Sequence, residues 1–110
     1  MFKKIITASL MALALVTAAQ AQPYPNKPIR LVIPFPPGGG TDILSRLVAQ
    51  KLTEANKWNV VPDNRGGAGG TIGIAEAARA APTGYDMVMG QKDNLVVAPW
   101  LYKSLSYDPT

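Results

Sequence analysis

The segment Pro36-Pro37-Gly38-Gly39-Gly40-Thr41 constrains the fold more than any other part of this sequence. It follows an apolar, β-prone run over 29–35 and precedes a helix-like run that begins at Asp42. The prolines end a strand because they donate no ladder hydrogen bond, and the glycines allow a sharp turn with a bare backbone. Thr41 or Asp42 is predicted to cap the helix, whose first N–H groups then point back at the loop. A strand, a glycine turn and a helix start are together typical of an anion site.

Residues 1–21 are predicted to be a secretory signal peptide. Lys3 and Lys4 precede an apolar run over 5–19, and Ala19-Gln20-Ala21 is a small-x-small cleavage site. The apolar run is shorter than the roughly 20 residues that a membrane span needs, which disfavours a membrane anchor. We therefore expect cleavage after Ala21 and export to the periplasm.

The composition argues against several classes of function. The net charge of +4 falls to +2 without the two signal-peptide lysines, and no basic run predicts a nucleic-acid partner. The chain has no His and no Cys, so the usual nucleophile–base pairs and zinc sites are missing. Its acidic residues show no metal-ligand spacing. We therefore predict no catalytic residues, no metal and no cofactor, and a protein that is not an enzyme.

The order of predicted elements is β-α-β-α-β, which is typical of an α/β fold with a parallel sheet. The strands are predicted at 29–33, at 58–61 before Pro62, and at 85–89. The helices are predicted at about 42–54 and 71–81, with a short one over 95–102 interrupted by Pro99. In the first helix the apolar residues fall at helical spacing. These residues are Ile43, Leu44, Leu47, Val48 and Leu52.

Three loops follow the predicted strands, at 34–42, 62–71 and 90–94, and a parallel sheet places all three at its carboxyl edge. Ligands of such sheets bind at that edge, where the strand order reverses. The second loop carries another glycine cluster, Gly66-Gly67-Ala68-Gly69-Gly70. Gln91 follows the third strand and is a candidate ligand donor or a surface amide. Asp42 is a candidate for stabilising the helix dipole or for contacting the ligand.

The glycine clusters match a carboxylate better than a nucleotide. Neither cluster is followed by the Lys of a P-loop, and neither has the third glycine of the dinucleotide fingerprint. A carboxylate is smaller and can be held by a few backbone N–H groups together with a hydroxyl such as that of Thr41 or Thr71. Hydrogen bonds to a charged partner contribute about 1.5–3 kcal/mol each.

Five motifs in order resemble the Bug family, the extracytoplasmic solute receptors of tripartite tricarboxylate transporters. They are Tyr24-Pro25-x-Lys27-Pro28-Ile29-Arg30, Pro34-Phe35-Pro36-Pro37-Gly38-Gly39-Gly40-Thr41-Asp42, Asn64-Arg65-x-Gly67-Ala68-Gly69-Gly70-x-Ile72-Gly73, Ala80-Ala81-Pro82-x-Gly84-Tyr85, and Leu101-Tyr102-x-x-Leu105-x-Tyr107-Asp108-Pro109. The resemblance implies a type II periplasmic binding protein fold with two domains. It also implies that two glycine loops grip one carboxylate of a small organic acid, partly through ordered water. The acid is a di- or tricarboxylate, an amino acid or an aromatic acid, and is delivered to membrane permease subunits.

The loop positions that match the family, together with Gln91, make up the candidate ligand site. They are Phe35, Gly38, Gly39, Gly40, Thr41, Asp42, Asn64, Gly67, Ala68, Gly69, Gly70 and Gln91. The run Gln91-Lys92-Asp93 departs from the small residues common there in the family, which leaves the ligand class open.

Family members are much longer than this chain. Residues 22–110 are therefore expected to be the N-terminal, incomplete part of the first ligand-binding domain, with the second domain absent. Two alternatives to a solute receptor remain at this point. One is a secreted α/β enzyme that acts on a small organic acid, and the other is a non-functional truncated fragment.

Overall fold

The computed structural model describes residues 21–110, so the predicted signal peptide lies outside the described residues apart from Ala21. The regular elements are β1 (Ile29–Ile33), α1 (Gly40–Asn56), β2 (Val60–Asn64), α2 (Thr71–Ala78), β3 (Asp86–Val88) and α3 (Ala98–Leu101). The strands form one parallel sheet in the order β2-β1-β3. The predicted α/β fold with a parallel sheet is confirmed. None of the helices in this part of the chain is long and apolar enough to cross a membrane.

Strand β1 is the centre of the sheet and of the core. Ile29, Leu31 and Ile33 are buried on one face and cluster with Ala49 of α1 and Val60 of β2. Each fully buried aliphatic side chain contributes about 1.5–3 kcal/mol, so this short run anchors the fold. Its bounds are those predicted, because an almost continuous apolar run is what a strand covered on both faces requires.

Strand β2 starts and ends later than predicted, and it contains Pro62. The expected strand ended before that proline, whereas Pro62 pairs with Leu31 in the middle of the ladder. Within this sheet β2 has a partner on one side only. Proline is tolerated in such an edge strand because its missing N–H can face away from the neighbour.

Helix α1 buries a face that only partly overlaps the predicted apolar stripe, of which Leu52 packs against the core and Val48 is half-buried. The buried residues are Asp42, Ser45 and Ala49, whereas Ile43 and Leu47 are 63% and 51% exposed. Small side chains on the docking face let the helix approach the sheet closely. The polar groups there are satisfied locally, since the Ser45 hydroxyl donates to the carbonyl of Thr41 at 2.6 Å.

Arg30 is the one charged residue in the apolar run of β1, and its side chain is only 30% exposed. Its guanidinium pairs with Asp63 at 2.7 Å, with Asp86 at 3.3 Å and with Glu76 of α2. These hydrogen bonds, foremost that of Glu76, raise the pKa of Arg30. The hydrogen bond from Arg30 is also the main reason that the pKa of Asp63 is lowered. The cluster ties all three strands to α2 on the sheet face opposite α1.

Helix α2 packs unusually close to the sheet at Gly73. A Cβ at Gly73 would lie 2.5 Å from the carbonyl oxygen of Arg65 and 2.9 Å from the Cα and Cβ of Pro34. Gly73 is therefore the contact point between α2, the end of β1 and the segment after β2.

The last described segment begins with a wide helical turn, Asp93–Val97, that continues directly into α3. Pro99 is the second residue of α3 and closely follows this wide turn. The helical segment over 93–101 therefore changes its hydrogen-bonding pattern next to the proline and is not broken there.

Candidate functional site

Three loops meet at the carboxyl edge of the sheet, as predicted: loop 1 (residues 34–39), loop 2 (65–70) and loop 3 (89–92). The chain passes from β1 to β2 on one side and then to β3 on the other. Right-handed crossovers place the two connecting helices on opposite faces, which opens a crevice between loops 1 and 3. A cavity of about 390 Å³ lies there. Its lining is Gly40, Thr41, Leu44, Met89, Gly90 and Gln91.

Helix α1 directs its first turn at this cavity. The helix begins at Gly40, and the first intrahelical hydrogen bond runs from the N–H of Ile43 to the carbonyl of Gly39 at 3.0 Å. The N–H groups of residues 40–42 therefore have no partner within the helix, and the positive end of the dipole favours an anion there. The predicted cap at Thr41 or Asp42 is wrong by two or three residues, because Gly39 occupies the cap position without a side-chain hydrogen bond.

Asp42 lies behind the first turn of α1 and is only 4% exposed. Its carboxylate accepts hydrogen bonds from Arg46 Nε at 3.0 and 3.1 Å, from the N–H of Gly38 at 2.9 Å and from Asn64 Nδ2 at 2.9 Å. The side chain of Arg46, the Gly38 amide and Asn64 together lower the pKa of Asp42 to about 2. Asp42 is thus ionised, and three protein N–H groups hold both of its oxygens.

Asn64, the last residue of β2, joins loop 1 to α1. Its Nδ2 donates to the carbonyl of Phe35 at 3.0 Å as well as to Asp42, and its Oδ1 accepts from Arg46 Nη2 at 2.9 Å. Asn64 therefore holds loop 1 at the point where loop 2 begins, and the two predicted glycine loops lie side by side, with Gly66 and Gly70 close to Pro36 and Phe35.

Gln91 and Thr41 connect loop 3 to the first turn of α1. The Gln91 amide donates to the Thr41 hydroxyl oxygen, and both residues line the cavity. Because Thr41 Oγ1 accepts from Gln91, its own proton is available for an acceptor on the cavity side.

Loop 2 has an unusual backbone. Gly67, Ala68, Gly69 and Gly70 have φ values of 124°, 47°, 63° and 91°. A non-glycine residue at positive φ is strained, so Ala68 is the exception in a run that otherwise requires glycine. At Gly70 a Cβ would lie 3.1 Å from Phe35 Cζ, so the absent side chain lets loop 2 pack against loop 1.

Two residues near loop 2 were not among the predicted site residues. Asn94 is fully buried, and its Oδ1 accepts from the N–H of Gln91 at 2.9 Å, while its Nδ2 has no partner among the described residues. That Nδ2 would lie 2.9 Å from a Cβ at Gly70. The Tyr102 hydroxyl would lie 3.4 Å from a Cβ at Gly69. Tyr102 could have been found from the sequence because it belongs to the fifth family motif, whereas Asn94 is a single asparagine in a polar loop and belongs to no motif.

The structure thus brings the predicted residues into one region at different depths. Gly40, Thr41 and Gln91 line the cavity, Asp42 is buried beneath it, and Phe35 and Asn64 connect loop 1 with loop 2. The remaining predicted residues lie in the loops themselves, at Gly38, Gly39, Gly67, Ala68, Gly69 and Gly70. Within residues 21–110, no three His, Asp or Glu side chains are grouped as metal ligands. A second groove, of about 490 Å³, is formed by Leu95, Val96, Pro99, Trp100 and residues 108–110, away from the glycine loops.

Comparison with known proteins assigns the family. Residues 44–110 match the model of the tripartite tricarboxylate transporter family receptor. A UPF0065 protein of Bordetella bronchiseptica is 43% identical over 99 residues, which cover 90% of this chain and 29% of that protein. Protein BugT of Bordetella pertussis is 40% identical over 88 residues, which cover 79% of this chain and 27% of that protein. The chain therefore spans less than a third of the length of these relatives.

Solved structures give the same picture. A periplasmic transporter aligns with a TM-score of 0.76 and 46% identity, over 79% of this chain and 29% of its own. Rpa4515 of R. palustris with adipate aligns with a TM-score of 0.75 and 34% identity, over 79% of this chain and 29% of its own. MatC of Rhodopseudomonas palustris with bound malate aligns with a TM-score of 0.74 and 31% identity, over 78% of this chain and 29% of its own. The fold, the position of the glycine loops and these matches lead to one conclusion: the chain belongs to the tripartite tricarboxylate transporter family of receptors.

Proposed function

We propose that this chain is the N-terminal part of a periplasmic solute receptor that binds a small organic carboxylate and delivers it to membrane permease subunits. The observation that carries the proposal is the first turn of α1, where the N–H groups of residues 40–42 have no helical partner and where Gly40 and Thr41 line a cavity at the carboxyl edge of the sheet. The malate-bound and adipate-bound relatives support the ligand class. The protein acts as a binding protein and not as an enzyme.

The chemistry of the site favours a carboxylate over a larger anion. One carboxylate oxygen pair can accept from the N–H groups of residues 40–42 and from Thr41, whose hydroxyl is oriented by Gln91. Loop 2, Gly67 to Gly70, contributes no residue to the lining of this cavity, and we propose that its bare backbone contacts the ligand from the neighbouring side of loop 1. Each hydrogen bond to the charged ligand contributes about 1.5–3 kcal/mol, and the helix N-terminus adds about 0.3–1 kcal/mol. An N-terminal signal peptide cleaved after Ala21 brings the receptor to the periplasm.

Titration calorimetry of the complete protein against a panel of mono-, di- and tricarboxylates, amino acids and aromatic acids tests this proposal. Thr41→Val should weaken the acid that binds by about ten- to one-hundred-fold, because it removes one hydrogen bond to a charged partner. Thr53→Val is the matched control, since Thr53 lies at the far end of α1 and donates only to the carbonyl of Ala49. The proposal fails if no acid binds, or if the protein converts the bound acid into a product. Uptake of the labelled acid by cells with and without the gene tests delivery to the permease.

A further inference from the structure

Asp42 is held by protein donors on both of its carboxylate oxygens. A carboxylate offers about four lone-pair sites, and three N–H groups reach Asp42: Arg46 Nε, which is shared between the two oxygens at 3.0 and 3.1 Å, the N–H of Gly38 and Asn64 Nδ2. The residue is 4% exposed, and it is not among the residues that line the cavity. Its carboxylate is therefore directed at protein donors and not at a ligand in the cavity.

The Asn64 amide is occupied in the same way. Its two N–H bonds go to the carbonyl of Phe35 and to Asp42, and its oxygen accepts from Arg46. Asn64 is the last residue before loop 2, whereas Phe35 and Gly38 belong to loop 1. The network of Asp42, Asn64, Phe35 and Gly38 therefore connects loop 1 to the residue from which loop 2 begins.

The charge of this network is balanced before any ligand arrives. A lone carboxylate beneath an anion site would repel a carboxylate ligand, since like charges close together disfavour each other. Arg46 contacts both Asp42 and Asn64, so the Asp42–Arg46 ion pair presents no net charge to the cavity. The network can therefore support an anion site without repelling the anion.

We propose that Asp42 and Asn64 are positioning residues that fasten loops 1 and 2 into one rigid wall, and that they set ligand affinity through the loop backbones without touching the ligand. The inference rests on the proposed carboxylate function for its affinity readout. Loops that are already held in the binding geometry lose less freedom when the ligand binds, so the affinity is higher. Breaking the network should therefore weaken every acid that binds by a similar factor, whatever its distal group.

Asp42→Asn is the first variant, because it keeps the shape but turns an acceptor into an NH₂ group that faces other donors. Glu54→Gln is the matched control, since Glu54 is a carboxylate on the same helix whose hydrogen bonds are with Lys51 and Gln50. We expect Asp42→Asn to weaken each acid by about tenfold or more and Glu54→Gln to leave the affinity unchanged. A loss confined to acids with an amino or hydroxyl group would show that Asp42 contacts the ligand, and would overturn the inference.

Asn64→Ala is the second variant and keeps the test valid if Asp42→Asn does not fold. It removes the connection between the loops while Gly38 and Arg46 still satisfy Asp42. Its control is Asn59→Ala, an exposed position just before β2. Asn64→Ala should give the same uniform loss, and the double variant should lose little more than either single one, because the two residues act as a unit. Unchanged affinity in a folded but less stable variant would show a purely structural role and would overturn the inference.

Hydrogen exchange of the unliganded, complete protein separates this inference from the proposed function. In Asp42→Asn the amides of residues 65–70 should exchange faster than in Glu54→Gln, although the substitution lies in another segment of the chain. If no acid binds at all, the proposed function fails while faster exchange in loop 2 still supports the fastening of the loops. Equal exchange in the two variants would overturn it.

Discussion

Gly73→Ala should destabilise the protein strongly, because one added methyl group would meet backbone atoms on two sides. The new Cβ would lie 2.5 Å from the carbonyl oxygen of Arg65 and 2.9 Å from Pro34, whereas real Cβ atoms essentially never come within 3.0 Å of such neighbours. Helix α2 or the Arg65 peptide must therefore move by about half an ångström. The Arg65 carbonyl cannot move easily, since the preceding peptide group is fixed by the hydrogen bond from the N–H of Arg65 to the carbonyl of Ile33 at 2.8 Å.

The magnitude follows from two opposing effects. Overpacking of this kind costs about 1–3 kcal/mol, and rigid obstructing atoms place this site at the upper end. Replacing a helical glycine by alanine gains up to about 1 kcal/mol, which leaves a net loss of about 2 kcal/mol. Gly40→Ala is the control, because it has the same chemistry at the start of α1 with nothing within 4 Å of the new Cβ.

Urea unfolding of the complete protein measures both variants. With a slope of about 1–2 kcal/mol/M, Gly73→Ala should lower the midpoint by about 1–2 M, whereas Gly40→Ala should leave it unchanged or raise it slightly. The free energies of unfolding of the two variants should differ by about 2–3 kcal/mol. A difference below about 1 kcal/mol would refute the close-packing argument, since the two variants make the same chemical change.

Three further predictions concern the charge cluster, loop 2 and the pH range. Arg30→Met should lower the free energy of unfolding at pH 7 by about 1–3 kcal/mol, because three partly exposed ion pairs are lost. In the native protein, the lowered pKa of Asp63 contributes stability at a pH above the pKa of Asp63 in the unfolded chain, and this stability is lost as the pH falls through the pKa in the folded state. Urea titrations at several pH values should therefore show that Arg30→Met loses less stability on acidification than the native protein does. Gly70→Ala should cost about 1–3 kcal/mol by the same assay, because alanine is strained at a φ of 91° and its Cβ would lie 2.9 Å from Asn94 Nδ2. Asp42, with its pKa near 2, should stay ionised at pH 3.5. In calorimetry at that pH, a sulfonate analogue of the ligand should keep its affinity, whereas a carboxylate ligand should lose affinity because the ligand itself becomes protonated. Equal losses for both ligands would contradict this.

The sequence predicted those features that depend on local patterns. An apolar run ending at prolines defined β1 to the residue, and the β-α-β-α-β order placed the glycine loops at one edge of the sheet. Apolar spacing also identified α1 as a helix. It did not show which face of α1 is buried, because small residues such as Ser45 and Ala49 allow a closer approach to the sheet than Leu47 does.

Contacts between segments that are distant along the chain could not be predicted from the sequence. Asn64 and Asp42 are 22 residues apart, and no local pattern indicates that their side chains meet. Pro62 was expected to end β2. It is tolerated inside the strand because β2 is at the edge of the sheet, and β2 is at the edge only because β3 pairs with the other side of β1. Asn94 carried no motif, although it is buried next to loop 2. Site geometry of this kind depends on tertiary packing and is therefore not visible in a single sequence.

The central position of β1 also determines how the sheet can assemble during folding. Strand β1 comes first in the chain and pairs with two later strands, with Ile29 opposite Val60 of β2 and Arg30 opposite Asp86 of β3. Closing the longer of these two chain segments costs only about 0.5 kcal/mol more than closing the shorter one, so β1 should pair with β2 slightly ahead of β3. Adjacent amides of β1 report the two events separately, because the N–H of Ile29 donates to Asn59 while that of Arg30 donates to Tyr85. In a pulse-labelling experiment, the Ile29 amide should therefore become protected from exchange before the Arg30 amide.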